Sequence, residues 1–316
     1  MSLGSKTIIT HSGKFHTDEV LAVGMLMYLY PLSNVIRTRD TDIINDESLD
    51  SIVVDVGRIY DPDKHMFDHH QDTFNDTFDC DSSIPLSSCG LIYRHFGKKL
   101  LDSFVRGGRY ATVIDIDSLY KTIYYKFIIA IDANDNGVSQ YNDRVKKAYN
   151  SNISLVETIC KLNNMNHSDD VLQMKSFKKA VQLAWDVFKI YLKDAIEASG
   201  IYEKDLMIIR KAFDTRHEYS HNRNILVIHE ECHNRMKCIL EIEKERGMKG
   251  VMKFIVYPDI ETGDWKLRAI SWGFKNRVDI GDFPNLDGVK FIHKNKFIAR
   301  VESKYDAIRL AKMSLI

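Results

Sequence analysis

The fold is decided by the stretch KTIITHSGKFHTDEVLAVGMLMYLYP, residues 6–31. Its first part, Lys6–Thr10, is a short run rich in β-branched residues and predicts a strand. A polar loop follows, and an apolar segment that starts at Asp18 predicts a helix, capped by Thr17 or Asp18 and ended by Pro31. This order of strand, loop and helix is the first half of a βαβ unit.

Two further strands are predicted downstream of this helix. They are Asn34–Arg39 and Ser51–Val56, and the second is apolar enough to be buried on both faces of a sheet. Strands that alternate with crossover helices predict an α/β fold, with a doubly wound, mostly parallel sheet in the N-terminal domain. The last third mixes short strands, a hairpin turn and helices, which predicts a smaller mixed α/β domain.

A long amphipathic segment separates the two predicted domains. It runs from Asp170 to Ser199, and we expect Gly200 to end the helix. The predicted organisation is therefore a metal-binding N-terminal domain at residues 6–165, a helical connector at 166–200 and a C-terminal α/β substrate-binding domain at 201–316.

Composition limits the classes of function. The chain has 316 residues, with 44 Lys plus Arg against 44 Asp plus Glu, so it lacks the basic excess of proteins that coat long duplex nucleic acid. The five cysteines form no C-x-x-C pair and are expected to be free thiols in a reducing compartment. No secretory signal, mitochondrial transit peptide or membrane-spanning run is evident, so we expect a cytoplasmic or nuclear location without membrane partners.

Histidines and aspartates concentrate where the predicted strands end. Five of the twelve histidines lie in the first seventy residues, in two clusters. In an open parallel sheet, ligands bind beyond the carboxyl ends of the strands, so the two clusters should meet at one edge. The residues expected there are His11, His16, Asp18, Asp55, Asp68, His69 and His70.

Imidazoles and carboxylates that face one crevice form a donor set for Mn²⁺, with Mg²⁺, Co²⁺ or Zn²⁺ as alternatives. Two such ions about 4 Å apart can clamp the attacking and leaving oxygens of a phosphoester. Taken singly, each histidine could be a polar surface residue, and Asp55 could cap a loop. A metal site is favoured because the sheet topology brings all of these residues together without further assumptions.

Several short motifs stand out along the chain. They are residues 10–19, Asp55-Val-Gly, Asp68-His69-His70-Gln71, Arg37-Thr-Arg39-Asp40, residues 87–97 (SSCGLIYRHFG) and residues 132–137 (DANDNG). In these motifs the chain resembles the DHH phosphoesterase superfamily and, within it, the melanocyte-proliferating-gene-product family, labelled a metal-dependent protein hydrolase, whose members include a 3′–5′ RNA exonuclease. The resemblance is strong to about Tyr141 and weaker afterwards.

The resemblance implies a role for each of the histidines and aspartates expected at this edge of the sheet. One ion would be held by His11, His16 and Asp55, and the other by Asp18, Asp55, His69 and a late aspartate, with Asp55 bridging. That aspartate is Asp135 or Asp132, which lie one helical turn apart, and the following Asn-Gly favours Asp135. A water activated by the ions would be the nucleophile. His70 would contact a substrate phosphate or the leaving oxygen, and Asp68 would orient histidines.

Candidate phosphate-binding groups lie around this set. Lys14 and the arginines that end the second strand could reach a phosphate, and the amides that start the helix at Ser87 could receive an anion. In the C-terminal domain, Arg268 on the hairpin and His293 at a strand end are candidates. The full set is Lys14, Arg37, Arg39, Ser87, Ser88, Arg268, His293 and Arg300.

One C-terminal segment departs from the family. Where relatives tend to carry a glycine pair, this chain has Ala299 and Arg300. We predict that these side chains narrow the approach of a phosphate, so that glycine at both positions would raise turnover. The alternative is that Arg300 itself holds the substrate.

The predicted function is hydrolysis of phosphodiester bonds in short RNA or nucleotides by a water activated by two metal ions. A second hypothesis is hydrolysis of a non-phosphate bond, which the family's label suggests. A third is a metal-binding scaffold protein that has lost turnover through its altered C-terminal segment.

Overall fold

The computed structural model divides the chain into two compact units, Met1–Glu197 and Ala198–Ile316. Each unit contains a five-stranded sheet with helices, so the predicted α/β class is confirmed. Among the described residues, no helix combines the length and the apolar character that a membrane span requires. The described residues are 6–141, 144, 149, 153–163, 169–273, 275–283 and 286–316.

The sheet of the first unit has the strand order β2-β1-β3-β5-β4. Strand β1 pairs in parallel with both β2 and β3, and β3 pairs in parallel with β5; only the edge strand β4 is antiparallel. The strands are β1 (Thr7–Thr10), β2 (Asn34–Arg37), β3 (Ser51–Val54), β4 (Tyr60–Asp61) and β5 (Met66–Phe67).

Helices pack against this sheet and against one another. Ile44 of the short helix α2 joins Ile9 and Val53 in one apolar cluster, while α1 contacts β1, β3 and α3. A π-helical turn, Tyr124–Ile128, joins α4 to α5. The helices are α1 (Thr17–Leu29), α2 (Thr41–Ile44), α3 (Ser88–Val105), α4 (Ile116–Ile123), α5 (Ile129–Asp135), α6 (Leu155–Leu162) and α7 (Asp170–Thr215).

Helix α1 starts one residue earlier than predicted. Its N-cap is His16, not Thr17 or Asp18, and the His16 amide donates to a carboxylate oxygen of Glu19 at 2.8 Å. The reason is that an acidic side chain three residues after the cap satisfies a free backbone N–H at the start of the helix. Asp18 is thereby left without a capping role.

Helix α7 is longer than predicted, because Gly200 does not end it. A glycine inside a helix costs only about 1 kcal/mol relative to alanine. Beyond it, Leu206, Ile209 and Phe213 are buried in an apolar cluster of the second unit, and this packing outweighs the cost.

The second unit has a mixed sheet of order β11-β12-β8-β7-β6, in which β6 and β7 are parallel. One apolar cluster includes Ile239 and Ile242 of α8, and the other includes Ile308 and Leu310 of α9. A separate two-stranded ribbon is formed by β9 and β10. The elements are β6 (Ile225–Val227), α8 (Arg235–Glu245), β7 (Phe254–Pro258), β8 (Trp265–Ala269), β9 (Ser271–Trp272), β10 (Lys275–Asn276), β11 (Val289–Ile292), β12 (Ile298–Val301) and α9 (Lys304–Met313).

Candidate metal centre

The carboxyl edge of the first sheet gathers three chemically active positions. His11 directly follows β1, Asp55 follows β3 and Asp68 follows β5. Because these three neighbouring strands are parallel, the residues that follow them lie at the same edge. Regular strand pairing therefore accounts for the meeting of residues far apart in the sequence.

His11 is buried between two carboxylates. Its Nε2 atom lies 2.9 Å from Glu19 Oε1 and 3.3 Å from Asp55 Oδ2. Burial alone would lower the pKa of His11, but the hydrogen bonds to Asp55 and Glu19 outweigh burial and raise this pKa to about 10. The buried carboxylates of Glu19 and Asp55 thus stabilise positive charge at His11.

Asp55 connects two sets of histidines. Its Oδ2 atom faces His11, while its Oδ1 atom lies 3.7 Å from His69 Nε2 and accepts a hydrogen bond from Ser88 Oγ at 2.9 Å. Its backbone has φ = 56°, a left-handed conformation that is unfavourable for a residue with a Cβ atom. The strained backbone and the Ser88 hydroxyl together hold the carboxylate between the histidines.

Three groups of side chains could each hold a metal ion. Within each group, the possible ligand atoms all lie within 4.8 Å of one another. The first and second groups share Asp55, and the first and third share His16, so the three form one continuous centre. His69 Nε2 also lies 3.0 Å from Asp135 Oδ2. The groups are His11, His16, Glu19 and Asp55; Asp55, His69 and His70; and His16, Asp18 and Asp135.

Asp18 shows that this centre suits a cation. The residue is 1% exposed, and neither of its carboxylate oxygens accepts a hydrogen bond from the part of the chain that the structure describes. Burial and the neighbouring Asp55 and Asp135 raise its pKa well above the usual value. A buried carboxylate without donors is costly unless a cation or a proton compensates it. The imidazole and carboxylate donors around it match a divalent ion such as Mn²⁺.

The structure distributes the predicted ligands somewhat differently from the prediction. His11, His16 and Asp55 fall in one group as predicted for the first ion, but Glu19 joins them. Glu19 is fully buried and was given no role, although it belongs to the quoted motif. Its position on the first turn of α1, three residues after His16, is the signal that could have identified it.

Asp132 and Asp135, the two alternatives for the last ligand of the second ion, contact different partners. Asp135, at the end of α5, contacts His69, whereas Asp132 is fully buried and accepts hydrogen bonds from Ser87 N and Tyr124 Oη. Asp132 is therefore not placed among the metal ligands. Burial raises the pKa of Asp132 to about 7, although the hydrogen bonds oppose this shift.

The Ser87 amide at the start of α3 is engaged inside the unit. The Ser87 amide and hydroxyl both donate to Asp132 Oδ1, at 3.1 and 2.7 Å, so an internal carboxyl group occupies this place. This corrects the prediction that the Ser87 amide receives a phosphate. Ser88 contributes instead through its hydroxyl, which holds Asp55.

His70 lies at the open side of the centre, with its side chain 55% exposed. Its Nδ1 atom is 2.7 Å from Asp68 Oδ1, and the hydrogen bond that it donates to Asp68 raises the pKa of His70 even though burial opposes the shift. Asp68 is itself buried, which would raise its pKa, but its bonds with His70 and with the backbone amides of Arg58 and His70 lower it. Asp68 therefore holds the ring of His70 in place.

A cavity of ≈ 290 Å³ opens beside His70 and is lined by His11, His16, Asp55 and two arginines, Arg39 and Arg58. The arginines lie on different loops, one after β2 and the other after β3. Cationic side chains beside a carboxylate-rich centre suit an anionic substrate that must approach it.

Two of the predicted phosphate-binding groups lie away from this cavity. The Arg37 guanidinium donates to Gly13 O and lies 4.5 Å from the ring centroid of Phe177, so it packs within the unit. Lys14 is exposed on the loop before α1 and is not among the residues that line the cavity.

The predicted substrate groups of the C-terminal part lie in the second unit. Arg268 and His293 both pack near the ring of Phe297, and the Nε atom of Arg300 is 3.6 Å from Asp264 Oδ2. Ala299 is fully buried in the apolar core beside α9. The prediction that Ala299 blocks a phosphate is therefore wrong, because its methyl group faces the core.

The chain is similar along most of its length to known proteins. A model of the uncharacterised protein family UPF0160 matches residues 7–315. The MYG1 protein of Dictyostelium discoideum is 30% identical, over 98% of this chain and 96% of its own length. The MYG1 exonuclease of Mus musculus is 27% identical, over 97% of this chain and 84% of its own. A solved structure, the pGpG-specific phosphodiesterase PggH of Vibrio cholerae, matches 98% of this chain and 96% of its own at 14% identity, with a TM-score of 0.27.

Proposed function

The chain belongs to the uncharacterised protein family UPF0160, and from this premise we propose that it is a metal-dependent phosphoesterase. Its substrates would be phosphodiester bonds of short RNA or nucleotides, cleaved from the 3′ end. The family resemblance seen in the motifs is confirmed by relatives named MYG1. The observation that carries the proposal is the set of three ligand groups linked through Asp55 and His16.

Two kinds of support favour a phosphodiester over other bonds. The Mus musculus relative bears the name exonuclease, which is a statement about that protein and a guide for this one. Independently, the cavity places Arg39, Arg58 and His70 beside the carboxylates, an arrangement suited to an anionic substrate. A neutral amide substrate would bring no negative charge to these cationic groups.

The residues of the centre would have separate roles in the reaction: some would hold the metal ions and others would contact the substrate. Two bound divalent ions, most suitably Mn²⁺, would supply activation of a water and stabilisation of charge on the phosphate oxygens. The residues that would hold them are His11, His16, Asp18, Glu19, Asp55, His69 and Asp135.

His70 acts from the solvent side of the centre. Because Asp68 engages Nδ1, the Nε2 atom remains for a substrate phosphate or for the leaving oxygen. Asp68 also accepts the Arg58 amide at 2.7 Å, so one buried carboxylate positions both the histidine and the loop beside it.

We expect the single changes Asp68→Asn and His70→Ala each to lower kcat by roughly 10- to 100-fold, with no further loss in the double variant. In the chemical step Asp68 acts through His70, whereas its bond to the Arg58 amide would affect substrate binding and therefore KM. Steady-state kinetics of the four proteins separate kcat from KM. Losses of kcat that multiply in the double variant would show that Asp68 acts on the chemical step without His70.

The proposed function is tested by incubating the purified chain with short RNA and dinucleotides in Mn²⁺, in Mg²⁺ and in chelator. We expect metal-dependent release of nucleoside monophosphates from 3′ ends. Cleavage of an amide substrate alone would favour the hydrolase of a non-phosphate bond. Bound metal without hydrolysis of either substrate would favour the scaffold protein.

A further inference from the structure

The loop of residues 12–15 carries His16 into the metal centre. It lies between β1 and α1, so its amide and carbonyl groups need partners other than a sheet or helix ladder. One partner comes from the end of β2: a terminal nitrogen of Arg37 donates to Gly13 O at 2.7 Å, and the guanidinium lies against the ring of Phe177. The middle of the loop is thereby tied to the sheet.

The end of this loop is held by Asn163, a residue 148 positions later in the sequence than Phe15. Asn163 Oδ1 accepts a hydrogen bond from the Phe15 amide, and Asn163 Nδ2 donates to the Phe15 carbonyl oxygen, both at 2.9 Å. One side-chain amide therefore satisfies both backbone groups of Phe15, as a neighbouring strand would. Two points of attachment restrain the orientation of the backbone as well as its position.

The peptide group between Phe15 and His16 is fixed on both of its sides. Its carbonyl oxygen accepts the hydrogen bond from Asn163, and its amide donates to Glu19 at 2.8 Å. The Phe15 side chain is 1% exposed and packs edge to face against Phe177 of α7. The backbone that carries His16 is therefore restrained, although the His16 side chain is exposed.

His16 is a place where such restraint matters for metal binding. It belongs to two of the three ligand groups, so its orientation affects both proposed ions. Because its ring is exposed, packing restrains the ring less than it would a buried one, and the backbone sets where the ring can reach. Asn163 itself is the C-cap of α6, and α6 packs against α1, so the contact is made from a folded element.

We propose that Asn163 is a positioning residue of the metal centre, which holds His16 in its ligand orientation through the Phe15 backbone. It does not touch an ion. It reduces the freedom that His16 would lose when an ion binds, and its removal therefore weakens the binding of both ions. This role rests on the proposed function for the presence of the ions, but not for the bond that is cleaved.

Asn163→Ala is the test variant, because it removes both hydrogen bonds to Phe15. Asn163→Leu, of nearly the same shape, loses these bonds but fills the space, and is measured beside it. Asn45→Ala is the matched control: Asn45 is also the C-cap of a helix in the first unit, and its side-chain amide donates to Thr41 O. Calorimetry of the metal-free proteins gives the affinity for Mn²⁺, and the visible absorption of bound Co²⁺ reports on the ligand set. His16→Ala and its double variant with Asn163→Ala complete a cycle.

We expect both Asn163 variants to bind Mn²⁺ roughly 10- to 100-fold more weakly than the wild type, and to shift the Co²⁺ spectrum in the direction that His16→Ala does. The double variant should lose no more affinity than His16→Ala alone, and Asn45→Ala should match the wild type. Unchanged Mn²⁺ affinity in a folded Asn163 variant would overturn the role, as would losses that multiply in the double variant or a wild type that binds no Mn²⁺. Asn163-dependent metal binding without hydrolysis of any phosphodiester would leave the role intact and refute the proposed function.

Discussion

Replacement of Asp55 by alanine should lower kcat/KM on a dinucleotide by roughly 1,000-fold, about 4 kcal/mol of transition-state stabilisation. His11→Ala should cost clearly less. The two oxygens of Asp55 face different histidines, His11 at 3.3 Å and His69 at 3.7 Å, so its loss affects both ligand groups. His11 belongs to one group alone.

Asp72→Ala is the matched control for this experiment. Asp72 is exposed on the loop that carries His70, and its replacement should change activity less than about twofold. Circular dichroism establishes that each variant is folded. Equal losses for Asp55→Ala and His11→Ala would contradict the bridging position of Asp55.

Asp132 should make the stability of the metal-free protein depend strongly on pH. Its pKa is 3.8 in an unfolded chain and about 7 in the folded protein, because the carboxyl is buried. Between these values the folded state keeps a proton that the unfolded state releases. The free energy of unfolding should therefore fall as pH rises through this window, by up to about 1.4 kcal/mol per pH unit.

Comparison with Asp132→Asn isolates this contribution, because asparagine does not titrate. Urea unfolding at several pH values between about 4 and 7, in chelator, should show a smaller decline for the variant than for the wild type. Asp117→Asn, a change at an exposed aspartate of α4, should decline like the wild type. Parallel curves for wild type and Asp132→Asn would show that Asp132 does not hold a proton at neutral pH.

The sequence was sufficient for β1, β2 and β3 because these strands carry strong local signals, whereas the two-residue strands β4 and β5 were not predicted. Ile52, Val53 and Val54 are consecutive and buried, as a central parallel strand requires. The end of α7 was not predictable in the same way. Gly200 is a correct local stop signal, but tertiary packing of Phe213 and its neighbours overrides it.

The candidate site was predictable where topology alone brings residues together. His11 and Asp55 each follow a predicted parallel strand, so their meeting follows from strand order, whereas Asp68 follows β5, which was not predicted. Glu19 was missed although its spacing from His16 was a signal. Arg58 was missed because its place depends on a left-handed backbone, which spacing does not reveal.

The distinction between Asp132 and Asp135 also needed the structure. Both lie on one helix, and helical spacing permits either to face the edge of the sheet. Contacts with Ser87 and Tyr124 engage Asp132, and this leaves Asp135 beside His69.

We propose that the linked His/Asp groups bind two divalent ions. The manganese content of the chain, measured by elemental analysis after loading with Mn²⁺ and removal of free metal, tests this most directly. We expect close to two ions per wild-type chain and a clear loss in Asp55→Ala. A folded wild-type chain that retains no manganese would contradict the proposed metal centre.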